Sequence, residues 1–204
     1  MQDNTRWIRW LGGLLLVAGC CGCGGLVRFT PLTSDSVVLA FGDSLTAGTG
    51  AEEEEAYPAV LASLLGCKVV NAGVPGERSD EGLDRLASLL KRHKPALVIL
   101  CHGGNDMLQK SNESDIADNL RAMIGLVQSS GADVLLLGVP KPGLFLKAPR
   151  FYAEVAKASQ VAYDGKILPG ILSAPSLKSD LIHPNADGYR KLAERVAALV
   201  RKHS

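Results

Sequence analysis

Aromatic residues and excess charge are both scarce in this chain of 204 residues. Phe, Trp and Tyr together make up 5% of it, and 22 Lys and Arg residues against 21 Asp and Glu residues give a formal net charge of +1. Nucleic-acid-binding domains carry basic patches, often interleaved with aromatic side chains, and the sequence has no such patch. We therefore expect no nucleic-acid partner.

Cysteine is scarce outside the amino-terminal region. Of the five cysteines, three lie at positions 20, 21 and 23, which leaves Cys67 and Cys101. Both lie in apolar, strand-like runs and are predicted to be buried free thiols, at opposite ends of neighbouring strands where a disulfide is not expected. No His and Cys residues have the spacing of a metal site, so we expect neither a metal nor a cofactor.

The amino-terminal region lacks an apolar run long enough to cross a bilayer as a helix, which takes about 20 residues. Its apolar stretch, residues 11–19, is short and follows Arg6 and Arg9. A basic start followed by a short apolar stretch is typical of a secretory signal peptide, which we assign to residues 1–19.

The end of this stretch, Val17-Ala18-Gly19-Cys20, resembles the lipobox of bacterial lipoproteins. The resemblance implies that Cys20 is lipidated and becomes the mature amino terminus, with the protein anchored to a membrane of the bacterial cell envelope and facing the periplasm. Because Cys21 and not Asp follows Cys20, the resemblance does not decide between the outer and the inner membrane. An ordinary secretory signal and an uncleaved anchor are the alternatives.

Residues 20–35 are predicted to be a tether, because Gly, Pro, Thr and Ser dominate the segment that follows the cysteines and no hydrophobic period is visible. Residues 36–204 then form one folded domain. With 47% hydrophobic residues in the chain, disorder is not expected, and the domain is long enough to bury a core of its own.

Short apolar, β-branched runs alternate with segments of helical spacing along this domain. Buried strands are predicted at residues 36–40, 68–71, 96–101 and 133–138, and helices at residues 57–65, 79–93, 114–130 and 185–202. Such alternation predicts an α/β fold, a three-layer α/β/α sandwich with a flavodoxin-like parallel sheet. In such sheets ligands bind beyond the carboxyl ends of the strands.

Polar motifs lie where this rule places a site. Residues 42–45, 71–73 and 102–106 directly follow the first three strands, and residues 180–184 precede the last helix. In order, FGDSLTAG, NAGVPG, GGND and DLIHPN resemble the four blocks of the SGNH (GDSL) hydrolase superfamily, across about residues 37–200. VPKPGLFLKAPRFY, after the fourth strand, resembles the acyl-site loop of the arylesterase, lysophospholipase and acyl-CoA thioesterase branch. Its prolines favour a loop, so Phe151 is predicted to line an acyl groove, with a core position as the alternative.

The residues of these motifs suit serine-dependent hydrolysis. Ser44 is the predicted nucleophile, and its hydroxyl needs a general base, which we assign to His183. Asp180, three residues earlier, would hold the imidazole tautomer and stabilise the imidazolium. Thr46 stands where the G-x-S-x-G motif of α/β-hydrolases has its second glycine, so this is a different arrangement.

The oxyanion of the tetrahedral intermediate needs hydrogen-bond donors on the side away from the base. We assign them to the backbone N–H groups of Ser44 and Gly73 and to the side-chain amide of Asn105, and substrate contacts to Leu144 and Phe145. Taken singly, Ser44 could be a helix cap, Gly73 a turn residue and Asn105 part of an Asx turn. Their occurrence together and in order favours the catalytic interpretation.

The resemblance implies an esterase or thioesterase that hydrolyses small-molecule or lipid acyl esters through an acyl-serine intermediate. We expect a monomer. A carbohydrate O-acetylesterase or an acyltransferase with the same residues is the first alternative, and a short, closed pocket would favour it. The second alternative is an envelope lipoprotein without catalytic activity, and the complete set of candidate residues argues against it.

Overall fold

The computed structural model describes residues 27–143 and 146–204. The strands are β1 (Val37–Gly42), β2 (Lys68–Gly73), β3 (Leu97–Cys101), β4 (Asp133–Leu137) and β5 (Ala162–Asp164). The helices are α1 (Ser44–Ala47), α2 (Tyr57–Leu65), α3 (Ser79–His93), α4 (Gly104–Leu108), α5 (Glu113–Ser129), α6 (Arg150–Ala158), α7 (Ile167–Ser173) and α8 (Ala186–His203).

The five strands form one parallel sheet in the order β2-β1-β3-β4-β5. Helices α2 and α8 pack together on one face, while α3, α5 and α6 pack in a row on the other. The predicted three-layer α/β/α sandwich with a flavodoxin-like sheet is confirmed.

Helices on both faces explain why the central strands are apolar throughout. Every residue of β3 is buried, and so are all residues of β1 after Val37. Helix α5 buries one face at helical spacing, made of Ile116, Ala117, Leu120, Met123, Ile124 and Val127. Cys67 and Cys101 are buried free thiols, as predicted.

The parallel arrangement gives the sheet two different edges. We call the edge at which the strands end the carboxyl edge, and the edge at which they begin the amino edge. The segments that follow β1, β2 and β3 all leave from the carboxyl edge, and helix α8 runs from there back to the amino edge. The predicted motifs therefore have one place to meet.

Five of the described elements are absent from the sequence prediction: the short helices α1 and α4, strand β5, and helices α6 and α7. Strand β5 has three residues, too few to show an alternating pattern. Helix α6 lies in a segment predicted to be a loop, with Phe151 as a groove residue. Phe151 and Tyr152 are instead buried in the core, where their rings stack at 4.4 Å between centroids. The proline before the helix ends the loop and does not interrupt the helix, because it stands at the N-cap.

The folded domain begins earlier than residue 36, which corrects the predicted tether boundary. Phe29 is 4% exposed, and its N–H donates to the carbonyl of His203 at 2.6 Å. The N–H of Thr30 donates to a carboxylate oxygen of Asp133, also at 2.6 Å. The apolar ring of Phe29 thus fixes this stretch on the domain. The predicted signal peptide and Cys20 lie outside the described residues.

Candidate active site

Ser44 lies at the carboxyl edge, directly after the central strand β1. Asp43 is the N-cap of helix α1, and its Oδ1 accepts a hydrogen bond from the N–H of Leu45 at 3.0 Å. The chain passes very close to β3 here, since a Cβ on Gly42 would lie 2.2 Å from the carbonyl oxygen of Cys101. The turn therefore holds Ser44 in one position, half-buried at the first residue of a helix.

His183 reaches Ser44 from the other end of the chain. Its Nε2 lies 3.0 Å from the Ser44 Oγ, and its Nδ1 lies 2.7 Å from Oδ2 of Asp180. The imidazole is largely buried, with 14% of the side chain exposed. With the Nδ1 proton donated to Asp180, Nε2 is free to accept the proton of the Ser44 hydroxyl. The structure thus brings the three predicted residues into one hydrogen-bonded row.

Asp180 is held by the loop that carries His183. Its Oδ1 accepts hydrogen bonds from the N–H groups of Ile182 and His183, both at 2.8 Å. Burial alone would raise the pKa of Asp180. The hydrogen bonds from the His183 ring and from the two N–H groups outweigh burial and hold this pKa below its ordinary value. Asp180 is therefore a carboxylate that can stabilise an imidazolium.

Asn105 lies at the start of α4, where β3 ends, and borders the same cavity as Ser44. Its Nδ2 donates to the backbone carbonyl of Glu77 at 2.9 Å, and the second contact, to Oδ2 of Asp43, is long at 3.4 Å. The N–H of Ser44 also has no intrahelical acceptor, because it belongs to the first turn of α1. Two of the three predicted oxyanion donors, Ser44 and Asn105, thus lie at the same cavity.

Gly73, the third predicted donor, is placed differently. Its N–H donates to Oδ1 of Asn71 at 3.0 Å, and a Cβ on Gly73 would lie 2.1 Å from the backbone nitrogen of Ala47. The residue packs against helix α1, and it is absent from the described lining of the cavity. The assignment of Gly73 to the oxyanion hole is therefore corrected.

The neighbouring Gly76 is also absent from the described lining, but its backbone is not crowded as that of Gly73 is. Gly76 has a φ of +82°, and a Cβ on it would meet no atom within 4 Å. It lies in a turn closed by the hydrogen bond from the N–H of Glu77 to the carbonyl of Val74 at 3.2 Å. The sequence Pro75-Gly76 is typical of a type II turn, and this signal could have singled out Gly76. The carbonyl of Glu77 binds Asn105, so the turn adjoins the site.

A cavity of about 410 Å³ opens beside the Ser44 hydroxyl. Its described lining is mostly apolar: Leu45, Leu108, Val139, Pro140, Pro142, Gly143, Leu146, Leu172, Leu181 and Ile182, together with Asp43, Ser44, Gly104, Asn105, Lys178 and His183. Leu144 and Phe145, the predicted substrate contacts, lie outside the described residues, between two residues of this lining. Within the described parts of the chain, no group of three His, Cys, Asp or Glu residues could hold a metal ion.

Comparison with known proteins identifies the family. The sequence model of the GDSL-like Lipase/Acylhydrolase family matches residues 40–191. The chain belongs to this family. It is 33% identical to esterase TesA of Pseudomonas aeruginosa over 188 residues, which cover 86% of this chain and 92% of the relative. It is 32% identical to thioesterase 1/protease 1/lysophospholipase L1 of Escherichia coli strain K12, with 97% of this chain and 95% of the relative covered.

Solved structures show the same fold. A crystal structure of TesA superimposes with a TM-score of 0.73 at 30% identity, covering 83% of this chain and 100% of the other. The psychrotrophic esterase EstA from Pseudoalteromonas sp. superimposes with a TM-score of 0.72 at 24% identity, covering 82% of this chain and 98% of the other. This GDSL protein is thus an ester hydrolase of the SGNH fold.

Proposed function

We propose that this GDSL hydrolase cleaves acyl esters and thioesters through an acyl-Ser44 intermediate. The observation that carries the proposal is the 3.0 Å contact between the Ser44 Oγ and the His183 Nε2, which joins residues 139 positions apart. His183 takes the hydroxyl proton as Ser44 Oγ attacks the acyl carbonyl, and Asp180 stabilises the imidazolium. His183 then protonates the leaving alcohol or thiol, and water releases the acyl group by the reverse sequence.

The tetrahedral intermediate carries its negative charge on the former carbonyl oxygen. We assign the stabilising donors to the N–H groups of Ser44 and Gly76 and to the side-chain amide of Asn105. The open space around Gly76 and its turn beside Asn105 support this assignment. The loss of one such donor typically lowers kcat by about 10²- to 10³-fold.

The cavity favours acyl chains longer than acetyl. Its lining is mostly apolar, and it continues to an exposed rim at which Leu181 is 82% exposed and Leu108 is 45% exposed. An acetyl group would leave most of a 410 Å³ cavity empty, whereas a longer chain would bury apolar surface against it. The relatives named esterase TesA and thioesterase 1/protease 1/lysophospholipase L1 support acyl esters as substrates. A carbohydrate O-acetylesterase is correspondingly less favoured.

A panel of 4-nitrophenyl esters from acetyl to dodecanoyl, with an acyl-CoA and a lysophospholipid, tests this proposal. We expect kcat/KM to rise with chain length beyond acetyl, and Ser44→Ala to abolish turnover of every substrate. Ser88→Ala, an exposed serine on α3, is the matched control and should keep wild-type activity. Wild-type turnover by Ser44→Ala would contradict the catalytic assignment, and a preference for acetyl esters would contradict the substrate class.

We also propose that the enzyme is a lipoprotein of the bacterial cell envelope, anchored through Cys20 after removal of residues 1–19. The described chain starts at the amino edge, where Phe29 binds His203 at the end of α8. Helix α8 has 18 residues and is therefore about 27 Å long, whereas Cys20 and Val27 can be at most about 25 Å apart. The catalytic cavity, at the other end of α8, would face away from the anchoring membrane.

Charge at the amino edge supports this orientation. Arg28, Lys68, Lys94, Arg201 and Lys202 are exposed there, at strand starts, at helix ends and on the incoming chain. The helices run opposite to the strands, so the basic residues that stabilise their carboxyl ends collect on this edge. Anionic lipid headgroups attract such residues. Within residues 27–143 and 146–204, no helix has the length and apolar character of a membrane span.

Mass spectrometry of the membrane-extracted protein tests the anchor. We expect an amino-terminal peptide that begins at Cys20 and carries acyl chains, absent from Cys20→Ala and retained in Cys67→Ala, the control at a buried thiol. The anchored enzyme should hydrolyse a water-soluble ester as fast as the detergent-released enzyme does. A mature protein that starts elsewhere contradicts the anchor, and strongly reduced turnover in the anchored form contradicts the orientation.

A further inference from the structure

A largely buried cluster of a carboxylate, a guanidinium and an imidazole lies beneath the turn of residues 74–77. The carboxylate of Glu77 is 7% exposed and accepts two hydrogen bonds from Arg85 of α3, Nε to Oε1 at 2.5 Å and Nη2 to Oε2 at 2.6 Å. The fully buried His102 places Nε2 3.0 Å from Oε2 of the same carboxylate. We call these three side chains the Glu77 cluster. None of them touches Ser44 or His183 among the described hydrogen bonds.

Arg85 also holds the ends of two strands. Its Nη2 donates to the carbonyl of Ala72 in β2 at 2.9 Å and to the carbonyl of Gly42 in β1 at 3.3 Å. Its guanidinium lies 4.2 Å above the ring centroid of Phe41, where a cation is attracted to the π face. One planar group therefore fixes the carboxyl ends of β1 and β2 relative to Glu77.

Two short links connect this cluster to the reacting groups. Gly42 stands two residues before the nucleophile Ser44. The backbone carbonyl of Glu77 accepts the 2.9 Å hydrogen bond that orients the amide of Asn105. Arg85 thus lies between the strand that positions the nucleophile and the turn that positions the oxyanion donors.

Stability alone does not account for the cluster. Buried ion pairs rarely stabilise a protein more than apolar side chains of the same volume do. Nδ1 of His102 is a buried atom without a hydrogen-bond partner among the described residues, and burying such a polar atom lowers the stability of the fold further. Burial alone would raise the pKa of Glu77, but hydrogen bonds from His102 and Arg85 outweigh it and lower that pKa. The group is therefore a carboxylate that binds both partners.

We propose that Arg85 and Glu77 are positioning residues for the oxyanion hole, which set the distance from the Ser44 nucleophile to the side-chain amide of Asn105. This inference rests on the proposed function. A small displacement of donors that contact only the transition state lowers kcat and leaves KM nearly unchanged. The loss of kcat in Arg85 and Glu77 variants must therefore depend on Asn105, because its amide is the group being positioned.

A double-mutant cycle tests the inference, with kcat and KM measured on one 4-nitrophenyl ester. We expect Arg85→Met to lower kcat about 10- to 100-fold with KM within threefold, and Asn105→Ala to lower kcat about 10²- to 10³-fold. The double variant should be little slower than Asn105→Ala alone, because a donor that is absent cannot be misplaced. Arg195→Met is the matched control. It breaks the 2.8 Å ion pair between Arg195 of α8 and Asp164 of β5 and should keep kcat within twofold.

Glu77→Gln provides a second cycle that keeps the side-chain shape and leaves the carbonyl contacts of Arg85 in place. We expect about a tenfold loss of kcat in the wild-type background and almost none in the Asn105→Ala background. Wild-type kcat in either variant, or losses that multiply with that of Asn105→Ala, would overturn the inference. An inactive wild type, or an active Ser44→Ala, would instead refute the proposed function itself.

Discussion

Replacement of Asp180 by Asn removes one charge and one acceptor while it leaves the size of the side chain unchanged. Oδ1 accepts two backbone hydrogen bonds at 2.8 Å, from the N–H groups of Ile182 and His183, and Oδ2 accepts the ring Nδ1–H of His183 at 2.7 Å. An amide has a single acceptor oxygen, so the two backbone donors will hold it and turn the amide nitrogen towards the ring. The ring must then carry its proton on Nε2, the wrong nitrogen to receive the proton of Ser44.

The expected loss of kcat in Asp180→Asn follows from the role of the Nδ1–H tautomer of His183. The equivalent loss of tautomer control in a Ser-His-Asp triad lowers kcat by about 10⁴-fold, which corresponds to about 5.5 kcal/mol of barrier. Because Asp180 is half-exposed, with 54% of its side chain accessible, water can partly replace the lost interaction. We therefore expect a loss of about 10³- to 10⁴-fold, with the melting temperature changed by only a few degrees.

Single-turnover measurements with a 4-nitrophenyl ester separate acylation from product release and are the appropriate assay. Asp187→Asn, at an exposed carboxylate in the first turn of α8, is the control and should react at the wild-type rate. The pKa of Asp180 is lowered, so its charged form is present above about pH 4 and is lost only as the pH falls further. Acylation by Asp180→Asn within tenfold of wild type would refute the tautomer argument.

Further predictions concern Gly76, the cavity rim and a pH-dependent ion pair. Gly76→Ala should lower kcat at least tenfold and Tm by several degrees, because alanine is strained at a φ of +82°; equal kinetics in the two proteins would exclude Gly76 as a donor. Leu108→Lys should raise KM several-fold for a dodecanoyl ester and leave the acetyl ester unaffected, and equal effects on both would count against the acyl groove. Burial alone would raise the pKa of Asp164, but hydrogen bonds from two backbone N–H groups and from Arg195 outweigh it and lower that pKa. Arg195→Met should therefore lower the free energy of unfolding in urea by about 1–2 kcal/mol at pH 7. This cost should shrink as the pH falls below about 4 and through the lowered pKa of Asp164, and a cost that grows on acidification would contradict this sign.

The sequence predicts the fold and the hydrogen-bonded row of Ser44, His183 and Asp180 because each depends on strong local signals. Buried parallel strands are apolar along their whole length, and the motifs that follow them must share the carboxyl edge. Strand β5 and helix α6 carry no comparable signal. Strand β5 has only three residues, too few to show an alternating pattern. In α6, Phe151 and Tyr152 are apolar, which suits both a groove and a core. Only the position of α6 against the sheet decides between these two environments.

The choice between Gly73 and Gly76 shows that a sequence motif does not determine which backbone N–H group faces a site. Both glycines occur in NAGVPG, and both stand near the end of β2. Gly73 is glycine because helix α1 approaches its backbone, whereas Gly76 is glycine because the turn requires a positive φ. The direction of an N–H group depends on such backbone geometry, which composition and spacing do not encode. The Pro-Gly pair was the available signal for the turn, but it does not state which N–H faces the cavity.

Packing contacts hold the nucleophile and the base together in addition to the hydrogen bond between them. The fully buried Tyr189 of α8 donates its hydroxyl to the carbonyl of Thr49 at 2.8 Å, which ties the loop after α1 to the last helix. Next to it, a Cβ on Gly50 would lie 2.1 Å from the Ser179 Oγ and 2.6 Å from the carbonyl oxygen of Pro184. The loop after the nucleophile thus lies directly against the loop that carries the base. Rigid elements therefore hold Ser44 and His183 in contact before any substrate binds, and little reorganisation is left for the chemical step.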